Sequence, residues 1–232
     1  MKKYLLFILS LTTSIIALAQ QKPAYILYNS EGKKVSYKKM INHLAKKDIV
    51  LFGEFHNNAI AHWLELVVAK DLSEKRNLIF GAEMFEADNQ QALNDYLAGK
   101  ITAKGLDSAA RLWSNYKTDY AHIVDFAKEK NAPFIATNIP RRYASVVSKK
   151  GFEALDTLPA KEKTWMAPLP MDYDAQLPGY VKMLEMMRGH GGPNMPKAQA
   201  TNDATMAYFI LQKFNPRSLF IHYNRYFHSE NV

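Results

Sequence analysis

Asp48–Leu64 reads DIVLFGEFHNNAIAHWL and constrains the chain more than any other stretch. Ile49 to Phe52 is an unbroken run of branched and aromatic side chains, the pattern of a buried strand. It stops at Gly53, passes through Glu54-Phe55-His56, and meets two asparagines. Either can cap the helix that Ala59-Ile60-Ala61 opens. Side chains alternate along extended chain, so a strand carried through to His56 puts Glu54 and His56 on one face. A carboxylate and an imidazole then stand together at the carboxyl end of a buried strand, where open α/β sheets bind ligands. A helix-capping loop whose polar groups only satisfy the backbone is the competing reading.

The same succession of apolar run and helix recurs along the chain. Asn77–Met84, Pro133–Ile139 and Ser218–Tyr223 read as further strands, and Ala24–Tyr28 as a short one before a turn at Asn29–Gly32. Ile60, Trp63, Leu64, Val67, Val68 and Leu72 mark one face of a helix. Met40–Lys46, the stretch from Asp88 or Asn89 to Leu97, Ala109–Ser114, Tyr120–Lys130, the segment opened by Pro140, Tyr180–Arg188 and Asp203–Phe214 read as others. Strands alternating with helices imply an α/β domain with a mostly parallel sheet flanked by helices. A Pro/Met-rich helical insertion is expected near residues 150–200.

Each strong strand runs into residues able to bind or react: Glu54 and His56, then Glu83 and Glu86, then Asn138, Arg141 and Arg142, then His222, Asn224 and His228. In a parallel sheet these clusters share one edge. Glu54, His56, Glu83 and His228 could hold a divalent metal that acidifies a bound water. The same set could activate water without metal, as a hydrolase of an ester, amide or peptide. Arg141 and Arg142, at a helix start, could grip a carboxylate or phosphate. His43 and His122 lie on helices without polar neighbours and read as structural.

With 30 basic against 22 acidic residues the chain carries a net charge of +8. Its lysines fall in scattered pairs and no arginine-rich stripe runs through it, so nucleic acid is not an expected partner. Met1-Lys2-Lys3, the apolar run Tyr4–Leu18 and the small-x-small Ala17-Leu18-Ala19 read as a cleavable leader over 1–19, followed by a single domain over 20–232. The absence of cysteine excludes disulfides, thiolate sites and a lipid anchor. The expectation is an exported, non-lipidated protein of the periplasm or cell surface.

GEFHNNAIAHWLELVVAKDL, GAEMF, NIPRRYA and the closing IHYN-xx-FHSEN together resemble the ChaN family of iron-regulated haem-binding proteins, in the superfamily of Tiki, TraB and the erythromycin esterases. The resemblance runs from about Ile49 to the end. It aligns a Gly-x-x-His at Gly53–His56, a glutamate at Glu83, an arginine at Arg141 or Arg142, and a second Gly-x-x-His near the end. It implies haem (iron protoporphyrin) as cofactor, a tyrosine as iron ligand, a homodimer, and an outer-membrane haem receptor as partner in uptake. The hydrolase relatives imply the rival activity.

The chain departs from the pattern at Arg225, where the second Gly-x-x-His would begin with glycine; a bulky residue is expected to distort that turn. It also ends four residues after His228, so a C-terminally shortened sheet is expected. A haem site needs an axial ligand, apolar walls and cations for the propionates. Arg141 and Arg142 could supply the cations. Tyr173, Tyr180, Met183, Met186, Met187, Arg188 and His190 form an aromatic and methionine-rich segment that could cover a flat apolar ligand; an amphipathic helix with methionines in the core is the alternative. Tyr116 and Tyr143 compete as ligands with Tyr173 and Tyr180, and the sequence does not rank the four.

Overall fold

In the computed structural model, residues 22–187 and 192–229 are described; the expected leader, Arg188 and His190 lie outside them. Two units are distinguished, residues 1–39 and residues 40–232. In the first, Tyr28 and Lys34 form one antiparallel bridge around the Asn29–Gly32 turn, in place of the expected strand Ala24–Tyr28. Helix α1 (Tyr37–Leu44) starts in the first unit and ends in the second.

The second unit is built on four parallel strands, β1 (Ile49–Glu54), β2 (Asn77–Glu86), β3 (Phe134–Asn138) and β4 (Ser218–Arg225), in the order β1-β4-β2-β3. Helix α2 (Ala59–Ser73) follows β1 and is capped by Asn58, whose side chain accepts from the Ile60 and Ala61 amides. Then come α3 (Gln90–Leu97), α4 (Ala103–Ala109), a π turn (Tyr116–Tyr120), α5 (Ala121–Glu129), α6 (Arg141–Lys150), the short α7 (Ala160–Lys163), α8 (Pro178–Met187) and the long α9 (Met195–Lys213). The expected helix at Ala109–Ser114 forms one segment earlier, as α4. There Thr102 caps the first turn through the Gly105 amide.

Period-two alternation divides the sheet into two faces. On one, Phe52, Tyr223, Phe80 and Phe134 form a row of rings across all four strands, with centroids 5.8, 6.5 and 5.8 Å apart. On the other, Ile79, Ile135 and Phe220 pack with Ile49 against Ile210 and Phe209 of α9. Gly81 belongs to this second face, and a side chain there would meet the Phe220 ring at 2.7 Å. Both faces of β2 and β4 are covered, which is why these strands read as continuous apolar runs.

The inward face of α2 differs in part from the expected one. Val68 and Leu72 are buried as expected, but Ile60 and Trp63 are exposed, and His62, Glu65 and Ala69 are buried in addition. The helix has turned two titratable side chains inward, where the end of β1 and the π turn offer them partners. Among the described residues, the insertion expected near 150–200 holds a 3₁₀ turn (Phe152–Leu155), α7, α8 and the start of α9. Its Met166 joins Tyr143, Val147 and Leu155 in a small core under α6.

Candidate functional site

Parallel strands bring the four polar clusters to one edge, but alternation sorts them between the two faces. Glu54, on the aromatic face, is 1% exposed and turns its carboxylate toward α2 and the π turn. Its Oε1 lies 2.5 Å from His56 Nδ1 and accepts from the Tyr120 hydroxyl at 3.1 Å. Glu83, on the α9 face, is also buried. Its Oε2 accepts the Arg225 amide at 2.8 Å, and its Oε1 lies 3.4 Å from His228 Nε2. His228 Nδ1 meets Asp203 Oδ1 of α9 at 2.5 Å, and Gln199 adds a contact at 2.7 Å.

The proposed metal set Glu54, His56, Glu83 and His228 therefore does not assemble. Among the described residues, the group whose ligand atoms lie close enough to share an ion is Glu54, His62 and Glu65. Two members of the expected set still meet a third at a cavity of about 370 Å³: His56, Glu83 and His228 line it together. Its walls are Met183 and Met186 of α8, Met195 of α9, Tyr226 and Phe227, with Lys182 and Arg225 as cations. Tyr226 stacks on Phe55 with ring centroids 4.4 Å apart.

Arg225 does not distort the turn that carries these residues. It sits at φ −57°, ψ 138°, a backbone open to any side chain, and the following 3₁₀ turn (Tyr226–His228) forms without glycine. The glycine that matters is Gly53 on β1, because a Cβ there would stand 3.0 Å from the Tyr226 Cα.

The other sequence candidates lie at varied places. Tyr180 donates to Asp203 Oδ2 at 3.2 Å, stacks with Tyr173 and lines a smaller recess beside His228. Tyr116 is buried beside Asp107 and Asp125 in another cleft, and Tyr143 donates to Glu162 at 2.5 Å. Arg142 pairs with Asp88 at 2.7 Å and lies over the Tyr143 ring, while Arg141 is exposed. Asp88 also pairs with Arg111, which holds Glu86 as well. His222 is fully buried between Thr137 and Asn224, and burial pulls its imidazole down to about 4, so it stays neutral in the sheet. Tyr226, Asp203, His62 and Glu65 were not among the sequence candidates. Tyr226 could have been suspected from its place inside the last strand-end motif; the others sit in helices whose polar residues read as solvated.

Burial works against the imidazolium of His228, but Asp203 and Glu83 outweigh it and push the group up to about 9. Burial likewise favours neutral Glu83, yet the His228 hydrogen bond and charge, with the Arg225 amide, hold its carboxyl below the usual range. A histidine raised on folding stabilises fully below its ordinary value of 6.5 and loses that contribution as pH rises through about 9. A lowered glutamate stabilises above its ordinary value of 4.5 and loses that contribution as pH falls below it. The stability difference between wild type and His228→Gln should thus peak between pH 4.5 and 6.5. It should shrink by on the order of 3 kcal/mol towards pH 10, since each pKa unit is worth about 1.4 kcal/mol. Thermal unfolding of both proteins across pH checks this, and a flat difference curve would refute the pairing.

No curated protein matches the chain. Among solved structures it is similar to Campylobacter jejuni ChaN, described as showing cofacial haem binding. The TM-score is 0.62 at 18% identity, covering 89% of this chain and 85% of that one, a likeness of fold. A family profile described as "Haem-binding uptake, Tiki superfamily, ChaN" matches residues 40–232, which takes in the whole sheet, its cavity and the closing turn. This chain belongs to the haem-binding ChaN family of the Tiki superfamily.

Proposed function

We propose that the protein carries haem in an uptake route, held in the cavity lined by His56, Glu83, Tyr226 and His228. One observation carries the position: phenol, imidazoles, methionine and aromatic walls, and the cations Lys182 and Arg225 meet in one cavity at the carboxyl edge of the sheet. That donor set fits the group, because a porphyrin asks for an axial ligand, apolar faces and cations for its propionates. Tyr226 is the phenol nearest to hand as iron ligand, with Tyr180 in the adjoining recess as second candidate. Glu83 and Asp203 fix the His228 ring, so its position is set before any ligand arrives. Delivery rather than turnover is the chemistry expected: the bound group supplies the iron to be handed on.

The leader pattern expected over 1–19 is the support for export to the periplasm or cell surface, and the resemblance of the sequence motifs is the support for a homodimer and an outer-membrane haem receptor as partners. A haem titration followed at the Soret band tests the reading. We expect a saturable shift at micromolar or tighter affinity, weakened at least about tenfold, or 1.4 kcal/mol, in Tyr226→Phe. Tyr116→Phe and Tyr143→Phe should leave it unchanged. No saturable shift with the wild-type protein would sink the reading.

A further inference from the structure

Behind His56, on the aromatic face of the sheet, lies a second cluster that the haem reading does not use. His62 and Glu65 stand one turn apart on α2, and Glu54 faces them from the end of β1; they are 3%, 0% and 1% exposed. Each offers a ligand atom, and these atoms lie within 4.8 Å of one another. His62 Nε2 lies 3.2 Å from the His56 carbonyl oxygen, so that nitrogen carries the proton and Nδ1 is left facing Glu65 Oε2 at 3.3 Å. A ring nitrogen that donates to a backbone carbonyl while its partner faces a carboxylate is the usual dress of a metal-bound histidine. A separation of about 3.3 Å is also what two ligands of a tetrahedral ion with bonds of about 2.0 Å adopt.

Two oxygens of the cluster are orphaned. Glu54 Oε2 and Glu65 Oε1 are buried and have no hydrogen-bond partner. Asp119, from the π turn, brings a further carboxylate to 3.9 Å from His62 Nε2 and is a quarter exposed. A His62–Glu65 ion pair alone would leave both orphans unsatisfied, at a cost that buried polar groups rarely carry. One cation shared by the two carboxylates, with Glu65 bound through both its oxygens, would satisfy both.

We propose that Glu54, His62 and Glu65 form a binding site for one divalent transition-metal ion of the zinc class. Mixed imidazole and carboxylate donors favour such an ion over calcium or magnesium, which prefer oxygen alone. The site adjoins the cavity of His228 through His56, but none of its three ligands lines that cavity, and it does not depend on haem being bound there. Its role is to lock the end of β1 onto α2 and the π turn.

The test is calorimetric titration of chelator-treated protein with zinc chloride, with magnesium chloride as control. One zinc per chain is expected. Affinity should fall at least about 100-fold in Glu65→Gln and His62→Gln, more than the 10–100-fold typical of losing a partner outside the ligand set. It should be unchanged in His228→Gln. Absence of zinc binding, binding retained in Glu65→Gln, or binding lost instead in His228→Gln would each overturn the assignment. Should the cluster variants unfold, X-ray absorption of the zinc-loaded wild type decides. One imidazole and carboxylate oxygens at about 2.0–2.2 Å support the site, and a shell without imidazole overturns it.

Discussion

Glu83→Ala should destabilise the protein by about 3–5 kcal/mol, the usual result of removing one member of a buried ion pair. The carboxylate is buried on the α9 face and serves two elements at once. Its Oε2 accepts the amide of Arg225 at the end of β4, and its Oε1 faces His228 at 3.4 Å. Alanine would strand the Arg225 amide and leave the His228 imidazolium with Asp203 as its remaining carboxylate. Glu83→Gln separates the two roles. Its amide oxygen can still accept from Arg225, so the loss should be smaller and should lie mainly in the His228 contribution below pH 9. Denaturant unfolding at pH 6 measures both. A cost under about 1 kcal/mol for Glu83→Ala would place the pair among solvated ion pairs, which contribute little. Haem affinity should fall with it by at least about tenfold, because the turn that carries Tyr226 and His228 would lose its anchor to β2.

Strands β2 and β4 were legible because burial on both faces leaves only one kind of residue acceptable, and the runs NLIFGAEM and SLFIHY say so without help from tertiary context, whereas β1 is an edge strand with Leu51 exposed. Parallel topology followed from strands alternating with helices. What the sequence could not convey was the sorting of polar groups between faces. Glu54 and Glu83 both end strands on one edge, yet the side of the sheet each takes depends on strand register, and a shift of one residue would exchange them. Part of the inward face of α2 was hidden for a related reason. Hydrophobic periodicity treats His62 and Glu65 as outward, and they point inward only because Glu54 at the end of β1 and the π turn, far along the chain, meet them there. Ile60 and Trp63 are left outside in consequence. The concern over Arg225 misplaced the glycine requirement: a backbone that any residue can adopt leads into the last turn, and the tight approach falls on the opposite strand.

That approach sets the second large effect. Gly53→Val should lower stability by about 1–3 kcal/mol, the range for forcing added methylenes into a packed region, and should abolish saturable haem binding. A Cβ at residue 53 would lie 2.5 Å from Ser229 Oγ and 3.0 Å from the Tyr226 Cα. Rotation of the serine relieves the first contact but costs its hydrogen bonds with Asn224 and with the Tyr226 carbonyl. The second is backbone, and the extra γ carbons of valine deepen it, so either β1 or the Tyr226–His228 turn must move. The turn is the cheaper element to move, since it is held by the Glu83–Arg225 and Asn224–Ser229 hydrogen bonds, the His228 pairs to Glu83 and to Asp203 of α9, and the ring contact of Tyr226 with Phe55. Displacing it takes Tyr226, Phe227 and His228 out of the cavity wall together. Gly53→Ala should give the graded version, with most of the stability retained and haem affinity reduced. Pairing unfolding curves with Soret titrations of the two variants therefore separates fold from site. Loss of binding well ahead of loss of stability is expected, and haem binding that survives in Gly53→Val would remove the last turn from the site.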